Sequence, residues 1–220
     1  MSLDFSIVLE AWPFLLRGTW VTLQLVALVL LVSAPLAVLV ALARNSTRAW
    51  ISGPIGVLSW AMRGIPPLLV LFLVYFVLPQ FGMAIKPFPA AVAGMTLYMM
   101  FYFGEVVRAG IASVDPGQFQ AARALGLPPI RIFRRIVLPQ ALPSTIPPYV
   151  SHATEVVKNS ALTASIAVAE LTGNAYQLIV STNRAFEILI AIAIVYAAID
   201  SSLLLLQAKA ERANIRRALR

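Results

Sequence analysis

Long apolar runs alternate with short polar or proline-broken stretches along this chain. The pattern predicts membrane helices over Thr19–Ala43, Ile55–Leu78, Ala90–Val107 and Ile188–Leu206, each near the ~20 apolar residues that a crossing needs. Trp20 suits the interface at the start of the first, and Pro35 sits inside it. The second opens on Trp60, Arg63, Gly64, Pro66 and Pro67. Arg63 reads as an interfacial anchor and the prolines as the shape of a helix start; the functional reading is a kink that moves during gating. The segment Ser144–Ser181 is longer than one crossing and too polar for two. It reads as a broken fourth span with a short return at the outer side. Residues Met1 to Gly18 mix apolar and acidic positions and are expected to lie at the interface. Asp4 and Glu10 there, with no small-residue cleavage site after them, speak against a signal peptide.

The stretch from Glu105 to Pro143 breaks this pattern. It is too polar and too rich in Gly and Pro to cross a bilayer. Pro116 followed by QFQAARAL and Gly126 predicts one short helix, with Pro in the first turn and Gly at a left-handed stop. A second, Ile130 to Val137, carries Arg131, Arg134 and Arg135, and Pro139 is expected to close it. Two short helices joined by Gly-Leu-Pro-Pro make a protruding basic elbow, a shape that seats in a groove on a soluble partner.

Composition narrows the class. Of 220 residues, 60% are hydrophobic and 12% charged, at a mean hydropathy of +0.85. Soluble domains carry about 25% charge. The expected fold is an all-α polytopic membrane bundle of about five spans, one domain over 1–220. Residues 1–18 form its interfacial start, 108–143 a cytoplasmic loop and 207–220 a basic tail. The net charge is +8, but the basic residues flank apolar segments instead of forming one face, so nucleic acid is set aside as a partner. No cysteine, one histidine (His152), no HExxH and no P-loop pattern leave no catalytic constellation, no metal site and no cofactor of the chain's own. Arg44, Arg48, Arg108, Arg123, Arg131, Arg134, Arg135, Lys209, Arg212, Arg216, Arg217 and Arg220 fall on one side of a five-span chain. Only Arg17, Lys86 and Arg184 fall on the other. The richer side is expected to be cytoplasmic, which puts the N-terminus outside and the elbow and tail inside.

Inside the membrane, Tyr98 and Tyr102 share a helix face, with Glu105 one turn on. They read either as core packing and lipid contact or as the lining of a path. Glu155 and Lys158 are three apart in an apolar setting and can pair on one helix face. Asn159 and Ser160 weaken the helix beyond them. Intramembrane ionisable groups face a bundle interior or cavity, and broken helices are where transporters bind substrate. A salt bridge that only fixes packing is the competing reading. His152, one turn earlier, reads as a packing or hydrogen-bonding residue.

GQFQAARALGL, the Arg-rich turn and LPQALP resemble the EAA loop of ABC-importer permeases, with Gln120 where the family has Glu. Arg63-Gly-Ile-Pro, Glu105 to Ile111 and Lys158 to Leu162 are similar to permeases of the polar-amino-acid, histidine/glutamine type, and the likeness runs from about Gly18 to the tail. The resemblance implies a type I importer permease in a bacterial inner membrane, paired with a copy of itself or a related permease. It implies ATP and Mg on two separate cytoplasmic ATPase subunits, and an extracytoplasmic binding protein that delivers substrate. On this reading Gln118, Gln120, Ala121, Ala122, Arg123 and Gly126 couple to the ATPase, the alanines small enough to enter its groove. Tyr98, Tyr102, Glu155, Lys158, Asn159 and Ser160 lie near the substrate path. A stand-alone ion-coupled transporter of small polar solutes is the alternative.

Overall fold

The computed structural model describes the backbone of residues 4–218 and the side chains of residues 4–209. The described residues are helical and contain no strand. A short α1 (Ser6–Glu10) leads into α2 (Trp12–Arg44), a helix of 33 residues, ~50 Å long at 1.5 Å per residue. The first span therefore starts at Trp12, well before Thr19. Pro13 in its first turn lacks an N–H that would be unpaired there anyway. The N-terminal segment is not simply laid on an interface. Val8 and Leu15 are buried against Leu171, Ala175, Ile188 and Ile192. The Asp4 carboxylate accepts from the Ser6 hydroxyl and amide, which hold it below the usual carboxylate range.

The second predicted span is two pieces. Helix α3 (Ala49–Gly64) and the turns that begin with α4 (Pro67–Phe72) and end at Phe81 meet at 109°. Ile65 precedes Pro66 and Pro66 precedes Pro67, and both are extended, since the proline ring crowds an α-helical predecessor. The bend that Ile65 and Pro66 impose is much larger than a shaped helix start.

Helix α5 (Pro87–Ala112) is the most enclosed membrane-length helix and α10 (Ala185–Ala218) the least. Helix α5 packs along α2, α4 and α8 around Leu25, Val29, Ala37, Leu71, Met99, Phe101, Phe103 and Val156. Small residues set the approach. A Cβ on Gly104 would meet Val40 Cγ1 at 2.6 Å, and one on Gly110 would run into Thr145 of α8. The outward faces of α2 and α10 are apolar, with Leu31, Leu39, Ile194 and Leu205 exposed, as a bilayer requires.

Beyond α5 the elbow is tighter than expected. Helix α6 (Pro116–Ala124) is capped by Asp115, whose carboxylate accepts from the Gly117 amide. It stops at Gly126, at φ +68°, where Gly126 N–H bonds Arg123 O and Leu127 N–H bonds Ala122 O. The second elbow helix does not stop at Pro139. Helix α7 (Pro129–Ile132) runs through a π-helical turn, Phe133–Val137, into α8 (Leu138–Ser160), with Pro139 in the first turn of α8. The loop is thus narrower than 108–143, because α5 reaches Ala112 and α8 begins at Leu138. Pro143, Pro147 and Pro148 lie inside α8. Gln140, Ser144, Thr145 and Ser151 donate from their side chains to backbone carbonyls along the same stretch.

The fourth span is broken where Asn159 and Ser160 predict. Helix α8 ends at Ser160, a 3-10 turn covers Ala161–Ile166, Ala167 takes a left-handed conformation, and α9 (Leu171–Thr182) follows. Among the described residues, three helices are long and apolar enough to cross a membrane, and the bent α3–α4 pair makes a fourth. Helix α8 has 23 residues, ~35 Å, enough for the fifth crossing in length but not in composition. In the basic tail, the side chains of Arg212, Arg216, Arg217 and Arg220 lie outside those described.

Candidate translocation site and elbow

Two features carry candidate function: the elbow and a cavity between α3, α5 and α8. On α6, Gln118, Gln120, Ala121 and Arg123 are exposed. Ala122 is not. It is 2% exposed and packs with Val114, Ile132, Val137 and Ala141 beneath the helix. Its small size serves this internal seat, while Ala121 stays exposed. The elbow rests on its own apolar cluster, capped at one end by Asp115 and stopped at the other by Gly126.

The cavity has a volume of about 560 Å3 and is lined by Arg63, Tyr102, Glu105, Ser144, Pro148 and His152, with small residues of α5. Tyr98 donates to the Tyr102 hydroxyl at 3.0 Å, and Tyr102 donates to the Arg63 carbonyl at 2.9 Å. The Tyr102 ring meets His152 edge-on at 5.6 Å. His152 Nδ1 lies 2.9 Å from Glu155 Oε2. Tyr98, Tyr102 and Glu155 are therefore linked at one place, and His152 connects them.

The Glu155–Lys158 pair that the spacing allows does not form. Glu155 is taken by His152, one turn back, and Lys158 Nζ reaches Asp200 of α10 at 3.5 Å. Three-residue spacing permits a pair, but each side chain has another partner on its own side of α8. Ser160 is fully buried and donates to the Val157 carbonyl, so it closes the helix end away from the cavity. Lys158, Asn159 and Ser160 do not line the cavity.

Two polar centres were not apparent from sequence. Glu105 accepts from Arg44 Nε (3.2 Å), Ser59 Oγ (3.2 Å) and Arg108 Nε (2.7 Å), which ties the end of α2 to α3 and α5 at the cavity wall. Its only signal was a lone carboxylate one turn past the tyrosines. Glu170 is fully buried and accepts from Tyr196 Oη (2.8 Å), the Gly173 amide (2.8 Å) and Thr22 Oγ1 (3.3 Å). The Leu171 amide donates to Thr22 Oγ1, and Asn174 donates to the Phe14 carbonyl. Gly18 of α2 admits this crossing, since a Cβ there would lie 2.9 Å from Leu171 Cα. A buried carboxylate in an apolar stretch was the available signal; its three partners on α2, α9 and α10 were not readable.

Comparison with known proteins places the chain. Residues 15–216 match the family described as "Binding-protein-dependent transport system inner membrane component". The chain is 34% identical over 200 residues to the arginine transport system permease protein ArtQ of Bacillus subtilis (strain 168), covering 89% of this chain and 90% of the relative. It is 34% identical over 197 residues to the octopine transport system permease protein OccM of Rhizobium meliloti, covering 86% and 80%. Its fold matches a crystal structure of an amino acid ABC transporter with histidines at a TM-score of 0.89 and 32% identity, over 97% of this chain and all of the other. These matches favour the importer permease over a stand-alone ion-coupled transporter. The all-helical bundle, its elbow and the match over nearly the whole length agree: the chain belongs to the binding-protein-dependent transport system inner membrane component family, as a multi-pass permease subunit of an ABC importer.

Proposed function

We propose that this chain carries polar amino acids, or close derivatives, across a bacterial inner membrane. The observation that carries the substrate class is the cavity. Groups of both signs surround it: Arg63 and Glu105 in its wall, and Glu155 held to its lining His152. A zwitterion with a polar side chain needs such a pairing to offset its desolvation. The relatives' named substrates, arginine and octopine, are of this kind.

The chain works with a second permease, a copy or a relative. Two cytoplasmic ATPase subunits hold ATP and Mg and grip the exposed face of α6 through Gln118, Gln120, Ala121, Arg123 and the Gly126 turn. A binding protein delivers substrate from outside. ATP binding favours the outward-open state by differential affinity, and hydrolysis returns the inward one. The N-terminus lies outside and the C-terminus inside. Chemistry is confined to the ATPase; this chain supplies the path and the lever.

The test is uptake in proteoliposomes, with the chain co-expressed beside its ATPase and binding protein. Gly126→Asp gives the left-handed turn a side chain that disfavours it and places a charge at the docking face. The expected result is loss of uptake together with loss of ATPase co-purification. Normal assembly and transport by the variant would remove the elbow as the coupling device.

A further inference from the structure

A second basic site lies on the elbow, away from the translocation cavity. Arg131, Arg134 and Arg135, with Ile130, line a concavity of about 450 Å3 where α7 passes through the π-helical turn into α8. All three arginines are exposed, and none has an acceptor or an ion-pair partner among the described residues. Three like charges within one turn repel one another unless an anion is shared between them.

The next two turns of the helix identify that anion. Leu138 and Leu142 come one and two turns after Arg134 and Arg135, four apart and so on one face of α8, and both are exposed, at 38% and 45%. A cationic cup therefore leads directly into an apolar stripe on the helix that re-enters the bilayer. A phosphate followed by an acyl chain matches this order. An acidic protein surface matches the cup but leaves the leucines uncovered. Arginine forks suit phosphate oxygens in a bidentate way.

We propose that the Arg131–Arg134–Arg135 cup binds the phosphate of an anionic phospholipid, with its chain against Leu138 and Leu142. The lipid pins the start of α8 at the membrane surface. It thereby fixes the height at which α6, joined to α7 by Gly126–Pro128, is presented to the ATPase. The π-helical turn sits at this point and supplies the compliance between a lipid-held α8 and a moving elbow. This regulation rests on the transport reading above, but the lipid contact itself does not.

The full chain is purified with its ATPase partner from phosphatidylcholine nanodiscs with or without phosphatidylglycerol, and retained lipid is read by native mass spectrometry. The wild type is expected to enrich phosphatidylglycerol, and R131Q/R134Q/R135Q to lose on the order of tenfold of that enrichment or more. The matched Lys triple keeps the charge without the bidentate fork and is expected to retain more of the enrichment than the Gln triple, which controls for misfolding. Proteoliposome uptake is expected to rise several-fold with phosphatidylglycerol for wild type and not for the Gln triple. Equal enrichment by wild type and Gln triple would overturn the site. So would inorganic phosphate replacing phosphatidylglycerol in raising uptake, which would mean a free-anion site. Release of the ATPase partner by the Gln triple with its lipid retained would assign the cup to that protein instead. Because lipid retention is read without transport, failed uptake alone counts against the proposed function and not against this site.

Discussion

Glu155 is half-exposed beside the cavity, and its role depends on which neighbour it holds. Had Lys158 paired with it, its charge would be cancelled. Lys158 instead reaches Asp200, and the partner of Glu155 is His152. In the function proposed above, this leaves the carboxylate to meet a substrate ammonium. Glu155→Gln keeps the side-chain length and a hydrogen bond to His152 but removes the charge. Uptake is expected to fall about tenfold, the worth of one charge-assisted hydrogen bond of ~1.5 kcal/mol, with assembly and basal ATP hydrolysis unchanged. Unchanged flux would take Glu155 out of the path. At this scale the sequence was informative about residue type and poor about partners. It brought Tyr98, Tyr102 and Glu155 into consideration, but it weighed Lys158 and not the equally spaced His152 as the partner of Glu155, and it turned Ala122 outward. Asp200, which draws Lys158 away, and Val137, which packs with Ala122, lie farther along the chain, whereas His152 is one turn from Glu155.

Elements cross at points where a side chain must be small or a carboxylate must be satisfied. The crossing of α2, α9 and α10 uses both. Gly18 lets the backbones touch, and Glu170 collects donors from Thr22, Gly173 and Tyr196. Removing the carboxylate strands the buried partners, at ~1–3 kcal/mol for each that stays unpaired. Glu170→Ala is therefore expected to destabilise the permease by several kcal/mol. The readout is a lower thermal midpoint in detergent and faster proteolysis near α9, and Glu170→Gln should recover part of the loss. A midpoint equal to wild type would show that the three donors find water or other acceptors. Local propensity located the α6 stop at Gly126 and the break after Ser160. It failed at Pro139, which reads as a stop and instead sits in the first turn of α8, with Pro143, Pro147 and Pro148 inside the same helix. In a membrane protein, neighbouring hydroxyls and packed helices offset the lost backbone bonds, so proline is a weaker stop signal there.

For the whole molecule, the side that the elbow faces has the largest mechanical consequence. The chain has no cysteine, so single-cysteine labelling is clean. Gln118→Cys on α6 is expected to react with a membrane-impermeant maleimide only after cells are opened. Asn183→Cys, at the exposed turn between α9 and α10, is expected to react in intact cells. The reverse pattern would invert the molecule and detach α6 from any cytoplasmic ATPase. Composition, spacing of apolar runs and the elbow motif sufficed for the class, the all-helical fold and the approximate places of the long helices. These properties are fixed by transfer of apolar residues into lipid and by local turn chemistry, both written along the chain. The 109° bend of the α3–α4 pair, the seamless passage of α7 into α8, the Glu105 and Glu170 centres and the rearranged partners of Glu155 and Lys158 arose only on folding. Each depends on which of several permitted neighbours a polar group or proline meets in three dimensions. That choice is made by packing among the helices, and spacing along the chain does not by itself encode it.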